Sequence, residues 1–219
     1  GDKTDWISNE EIGTCVKVSH AKACETIFDL DKVGSKVDLN LFPIIQKFYR
    51  DDEKHLFFIH LNGSHMSYSD KYDDIDKIAI PGNNSITNEY DRSIHHTDRV
   101  LKEIYNIARK DSTAIIYYVS DHGEQVGVGH ALFLKHVDQY KSPLITISRE
   151  PAKIDSIVKR YVDPETSTLN ASASIYILAE MMGYSVPDSI ATNSIEDGKY
   201  VFLRAHEYML FKDIERTPQ

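Results

Sequence analysis

The residues best suited to chemistry stand at Ser120-Asp121-His122-Gly123-Glu124, where the β-branched and aromatic run Ala114-Ile115-Ile116-Tyr117-Tyr118-Val119 stops. A carboxylate and an imidazole adjacent at a strand end can ligate one divalent cation. Glu124 is then available to orient His122 from the second shell, with Gly123 letting the backbone turn tightly between them. The same residue types make an ordinary capped turn, so the tripeptide alone leaves both readings open. A second run of strand length, His55 to Leu61, ends in Asn62-Gly63-Ser64-His65, which delivers another histidine from a strand end by a Gly-containing turn. His130 and His136 follow in a Gly-rich excursion beyond the first pair. Together these side chains could assemble an oxygen-and-nitrogen zinc site with imidazoles left over for an anionic group. Such a set suits phosphoryl or sulfuryl transfer, in which cationic groups neutralise charge on the equatorial oxygens. What the pattern lacks is a nucleophile, because no Ser or Thr stands in a turn that faces Asp121 and His122.

The elements that must position these residues alternate between strand and helix. Asp38 is a plausible N-cap for an amphipathic helix carrying Leu39, Leu41-Phe42, Ile45 and Phe48-Tyr49, with Pro43 tolerated in its first turn. Residues 67–85 are a polar loop, and the spacing from Ile86 to Ala108 predicts the longest helix, with an apolar stripe through Tyr90, Ile94, Thr97, Leu101 and Ile104. His95 and His96 on that helix point about 100° apart, which argues against one shared ion and for a mostly solvated face. Ala114 to Val119 is the central strand, and Pro143 to Ser148 is a further strand. Thr168 to Gly183 is a helix stopped by its glycine. Lys199 to Leu203 and His206 to Phe211 form a terminal hairpin, in which His206 is structural. Residues 1–37 read as loop and partial helix. The expected fold class is α/β, a mostly parallel central sheet flanked by helices.

Composition narrows the function further. A net charge of -9 with no basic patch argues against a nucleic-acid partner. No apolar run approaches the roughly 18 residues of a membrane span, and the first ten residues lack a signal-peptide pattern. At 219 residues the chain fits one domain. Its only cysteines, Cys15 and Cys24, fit either two free thiols or one small-loop disulfide.

Several blocks in order resemble the phosphoethanolamine transferases of Gram-negative bacteria, members of the alkaline phosphatase and sulfatase superfamily. They are Trp6-Ile7-Ser8-Asn9, Cys24-Glu25 before an amphipathic helix, and HLNGSH ending at His65. YDRSIHHTDRVL from Tyr90 to Leu101, VSDHGE from Val119 to Glu124 and QYKSPLITI from Gln139 to Ile147 follow. The resemblance implies an alkaline phosphatase-like fold in which Asp121 and His122 bind zinc and His65 contacts phosphate. A later histidine, His130 or His136, does likewise, and the Gly129-His130 pairing favours His130. It also implies that the 219 residues are the C-terminal portion of a single catalytic domain. The Thr nucleophile, an acidic zinc ligand and a membrane domain are expected upstream of Gly1, so that this chain alone would be inactive or nearly so. The implied setting is the periplasmic face of the bacterial inner membrane, with a phospholipid as donor, lipid A or another envelope glycan as acceptor, and attachment to the membrane only through the upstream domain. That setting tips Cys15 and Cys24 toward a disulfide. Competing expectations are a sulfatase, phosphodiesterase or phosphoglycerol transferase of the same superfamily, or a non-catalytic domain that binds envelope glycans or lipid headgroups.

Overall fold

A computed structural model of the chain describes residues 3–8, 26–29, 37–49, 55–130, 136–204 and 207–214, with the side chains of 3–8, 26–29 and 204 left out of the description. The chain divides into two units, Gly1–Ser112 and Thr113–Gln219. No helix among the described residues is long and apolar enough to cross a membrane.

The first unit is built on a parallel sheet. Its strands are β1 (Lys3–Ser8), β2 (Thr26–Asp29) and β3 (His55–His60), in the order β2-β1-β3. β1 runs in register with β3 from Lys3 beside His55 to Ser8 beside His60. Two strands therefore lie where loop and partial helix were expected. Cys15 and Cys24 fall outside the described residues, as does His206.

Because parallel strands need a crossover, the chain passes through a 3-10 turn, Asp38–Leu41, into helix α1 (Phe42–Phe48) on its way to β3. Leu41 and Ile45 are buried there against Phe57, Ile59 and Leu61 of the β3 region and Ile107. Asp38 is not the helix N-cap that its position suggests. The 3-10 turn has Val37 at its N-cap and the helix has Leu41, while the Asp38 carboxylate accepts from the loop after β3.

The expected loop 67–85 contains a short helix, α2 (Asp74–Ala79), closed by a reciprocal capping box between Asp73 and Asp76. The long helix α3 (Ile86–Ala108) starts where the spacing predicts, with Ser85 accepting from the Asn88 amide. Its buried side is polar, made by Arg92, Ser93, His96 and Thr97 with Val100, while Ile94 faces solvent. The reason is Asp76, which is fully buried and takes His95 Nδ1 at 2.6 Å, His96 Nδ1 at 2.9 Å, Arg99 Nη1 at 2.8 Å and the Asp73 amide at 3.0 Å. The solvated reading of His95 and His96 is thereby corrected. Rings that diverge too far for one ion still reach the two oxygens of one carboxylate.

The second unit pairs β4 (Ile116–Val119) with β5 (Leu144–Ile147), from Ile116 beside Ile147 to Val119 beside Leu144. This pairing is antiparallel, so the parallel expectation holds in the first unit and not here. Helices α4 (Pro151–Lys159), α5 (Ser174–Met181) and α6 (Asp188–Asp197) follow, then the antiparallel hairpin of β6 (Tyr200–Arg204) and β7 (Glu207–Leu210). Tyr161, Ala173, Ile177 and Ala191 form the core, with Tyr117 of β4 packed against it. The Tyr117 hydroxyl lies 2.8 Å from Ser174 Oγ and ties the strand to α5. The C-terminal end of β4 is thus anchored from behind, which steadies the residues that follow it.

Candidate functional site

The chain beyond β4 is stitched into a rigid turn. Ser120 Oγ donates to the His122 carbonyl at 2.8 Å, and Ser142 Oγ donates to the Ser120 carbonyl at 3.0 Å. Both hydroxyl groups that flank the Asp-His pair are therefore held by backbone. The Gly123 amide donates to the Gln139 carbonyl at 2.9 Å. Gly123 has no left-handed φ. Its requirement is space, since a Cβ would sit 1.9 Å from the Asp138 carbonyl oxygen and 2.3 Å from that of Lys141. This corrects the view of Gly123 as a residue needed for turning.

Within the turn, Asp121 Oδ1 accepts from the His122 amide at 3.0 Å, which leaves Oδ2 pointing outward 3.7 Å from His122 Nε2. His122 Nδ1 faces the Gly123 carbonyl at 2.8 Å. A carbonyl can only accept, so Nδ1 carries the proton and the neutral ring keeps its lone pair on Nε2. Two ligands of one tetrahedral zinc lie about 3.3 Å apart, given metal–ligand bonds near 2.0 to 2.2 Å. The pair fits a metal in both spacing and tautomer.

Glu124 was expected to orient His122, and it does not. The Gly123 carbonyl has that role, and Glu124 Oε1 instead lies 4.0 Å from His130 Nδ1, with its side chain buried. His130 arrives there because Gln125 to Gly129 forms a tight reverse turn, in which the Gly129 amide donates to the Gln125 carbonyl at 2.9 Å. Gly127 and Gly129 take φ of 81° and 100° to make it, a region open to glycine at little cost. The result is that the His130 ring lies against that of His122, tilted by 33° with centroids 3.9 Å apart. His136 has a different task. Its Nδ1 accepts from the Asp138 amide at 3.3 Å and caps the 3-10 turn Val137–Gln139.

His65 belongs to the first unit. It is exposed, and its Nδ1 lies 2.7 Å from the Met66 carbonyl. The turn that presents it is held by a residue that local pattern did not point to. Asp38 Oδ1 accepts from the Asn62 amide and Oδ2 from the Gly63 amide, each at 2.9 Å. The buried Lys71 ammonium donates to the Asn62 side-chain oxygen. No signal short of a contact across 24 residues could have assigned Asp38 to this turn.

A second carboxylate and histidine group has metal-like spacing. Asp73, Asp76 and His96 offer ligand atoms within 4.8 Å of one another. Arg99 Nη1 already sits 2.8 Å from both Asp73 Oδ1 and Asp76 Oδ2, so a guanidinium supplies the positive charge that these oxygens need.

Comparison with known proteins agrees with the blocks read in the sequence. The sulfatase family model matches residues 6–183. YhbX of Escherichia coli (strain K12) is 30% identical over 128 residues, which cover 56% of this chain and 23% of that protein. The Kdo(2)-lipid A phosphoethanolamine 7''-transferase of the same strain is 23% identical over 159 residues, or 63% of this chain and 28% of that protein. The chain thus spans less than a third of the length of these relatives. Among solved structures, the C-terminal periplasmic domain of EcEptC from Escherichia coli matches with a TM-score of 0.71 at 16% identity, over 97% of this chain and 69% of that one. A structure of the same domain in complex with Zn matches at 0.54 and 21% identity, over 67% of this chain and 48% of that one. The fold is therefore alkaline phosphatase-like. With the family match running from the first strand past α5, the chain belongs to the sulfatase family.

Proposed function

We propose that this chain contributes half of the metal centre of a phosphoethanolamine transferase, with Asp121 and His122 as ligands. The observation that carries the reading is the Asp121 Oδ2 to His122 Nε2 spacing of 3.7 Å, with Nδ1 bound to the Gly123 carbonyl so that Nε2 is the ligating atom. A zinc ion held there would supply Lewis-acid neutralisation of charge on the transferred group. The named relative that transfers phosphoethanolamine to Kdo(2)-lipid A supports the substrate class. We assign the donor to a phospholipid, the acceptor to lipid A or a related envelope glycan, and the setting to the periplasmic face of the inner membrane.

His130 is the residue in this unit that would hold a phosphoryl oxygen. Its ring lies against that of His122, tilted by 33° with centroids 3.9 Å apart, and Glu124 Oε1 is 4.0 Å from its Nδ1. His65 is assigned the corresponding contact from the first unit. Ser120 and Ser142 both donate to backbone carbonyls, and we assign the nucleophile to neither of them, with little activity expected for the 219-residue chain alone.

The test uses the complete gene product. Asp121→Ala and His122→Ala should each reduce bound zinc and abolish transfer of phosphoethanolamine from a phospholipid to lipid A. Wild-type metal content and activity in both variants would refute the assignment. Transfer of glycerol phosphate, or hydrolysis of a sulfate ester, by the wild-type protein would move the reading to another branch of the superfamily.

A further inference from the structure

The contact that joins Asp38 to the turn after β3 has geometry beyond what folding of a crossover needs. Two successive peptide N–H groups, Asn62 and Gly63, converge on the two oxygens of one carboxylate, each at 2.9 Å. Hydrogen bonds to an ionised acceptor are roughly twice as strong as neutral ones. Asp38 is itself 2% exposed and opens the 3-10 turn whose Leu41 is fully buried against Ile45 and β3. A buried carboxylate is costly to place unless it is well hydrogen-bonded, so its position is set from both sides. Gly63 takes a φ of 59°, a region open to glycine at little cost. It lies two residues from His65, whose own Nδ1 is tied to the Met66 carbonyl at 2.7 Å. Lys71, buried beside the turn, fixes the Asn62 side chain through its carbonyl oxygen.

We propose that Asp38 is a positioning residue for His65, acting through the Asn62 and Gly63 amides to hold the turn that presents the imidazole. The path runs from the Leu41 core to Asp38, from Asp38 to the two amides, and from Gly63 to His65. Asparagine is the informative replacement, because it preserves shape but offers one acceptor oxygen where two N–H groups must be met. The proposal rests on the reading of His65 as a phosphate contact, and its test separates the two.

In the complete gene product, Asp38→Asn should lower phosphoethanolamine transfer by about 10-fold or more, as expected when a reacting group is displaced by about 1 Å. His65→Ala should lower it further. The discriminating measurement is the double variant. In the His65→Ala background, Asp38→Asn should cost less than about 2-fold, because coupled residues do not add. Full additivity would overturn the positioning role and leave Asp38 a general structural residue. Asp38→Glu, which restores two acceptor oxygens, should recover part of the loss. A second readout needs no variant and no activity. In the wild-type protein the Asn62 and Gly63 amides should exchange slowly with solvent although neither lies in a strand or helix, and exchange as fast as that of open loop amides would overturn the proposal even if Asp38→Asn fails to fold. Wild-type transfer by His65→Ala would instead remove the phosphate-contact reading, while amide exchange would still decide whether Asp38 holds the turn.

Discussion

Replacing Gly123 by alanine is the sharpest test of how the Asp-His pair is positioned. The added Cβ would lie 1.9 Å from the Asp138 carbonyl oxygen, 2.3 Å from that of Lys141 and 3.1 Å from the Asp138 carbonyl carbon. All three atoms are backbone, so no side chain can swing away. Reaching even a tight 3.0 Å contact requires the Asp138 carbonyl to retreat by about 1 Å, and overpacking of this kind costs about 1–3 kcal/mol. That retreat also strains the bond from the Gly123 amide to the Gln139 carbonyl, now 2.9 Å, for a further loss of about 0.5–1.5 kcal/mol. The expected destabilisation is therefore about 1.5–4.5 kcal/mol, measured by urea denaturation followed by circular dichroism. The comparison is Gly63→Ala, where a Cβ meets nothing within 4 Å and only the φ of 59° is at issue, at a cost of about 1–2 kcal/mol. Because the Asp121–His122 pair is continuous with the displaced peptide, zinc content should fall with stability in Gly123→Ala. A Gly123→Ala protein within about 0.5 kcal/mol of wild type, a change of the size seen for ordinary surface substitutions, would refute the close-approach account.

Two further outcomes are expected. Burial would raise the Asp76 carboxyl, but hydrogen bonds from the Asp73 amide, His95, His96 and Arg99 outweigh it and hold the group well below the usual carboxylate range. A lowered folded-state value means that this stabilisation is complete above the unfolded value near 4 and is lost as pH falls through the folded one. Asp76→Asn should accordingly cost about 3–5 kcal/mol at pH 7, and the gap to wild type should shrink on acidification in denaturation series. An unchanged gap at pH 3 would contradict the sign. Between the two later histidines, His136→Ala should lose about 0.5–1.5 kcal/mol from its capping bond and keep its zinc, whereas His130→Ala should lose transfer with little change in melting temperature; the reverse pattern in paired activity and melting assays would exchange their roles.

The sequence was most legible where one element's pattern is complete within itself. Ile86 opens α3 as the spacing predicts, and the run before Ser120 contains β4. Pattern reading fails where an element depends on something distant. Trp6-Ile7 and Ile27-Phe28 are apolar pairs too short to announce β1 and β2, which exist because β1 pairs with both β2 and β3. Helix α2 was hidden because Ile75 and Ile78 face solvent, at 57% and 80% exposure, while its buried anchor is the charged Asp76. Polarity that usually marks a surface here marks a network, and only the convergence of α2 with α3 reveals it. Gly123 was legible as a special residue, but not for the right reason, since the atoms that exclude a Cβ lie 15 and 18 residues downstream. Glu124 follows the same rule: its neighbour in sequence is His122, yet the turn from Gln125 to Gly129 makes His130 its neighbour in space.

His65 in the first unit and His122 in the second are held by one device. His65 Nδ1 faces the Met66 carbonyl at 2.7 Å and His122 Nδ1 faces the Gly123 carbonyl at 2.8 Å. Each ring therefore donates to the carbonyl of the residue that follows it, a bond too local to be disturbed by whatever approaches Nε2. A metal ligand must be neutral with its lone pair on Nε2, which is the state this bond selects at His122. An imidazole that holds a phosphoryl oxygen through Nε2 while Nδ1 donates must carry both protons. A ring fixed in this way could therefore act as a ligand when neutral and as an oxyanion contact when charged. At His122 the nearby Asp121 Oδ2 is 86% exposed with its residue's side chain and free to share a cation. At His130 the buried Glu124 side chain lies 4.0 Å from Nδ1. A bond from Nδ1 to the following carbonyl is therefore a mount that His65 and His122 share, and at His122 it leaves Nε2 beside the Asp121 carboxylate.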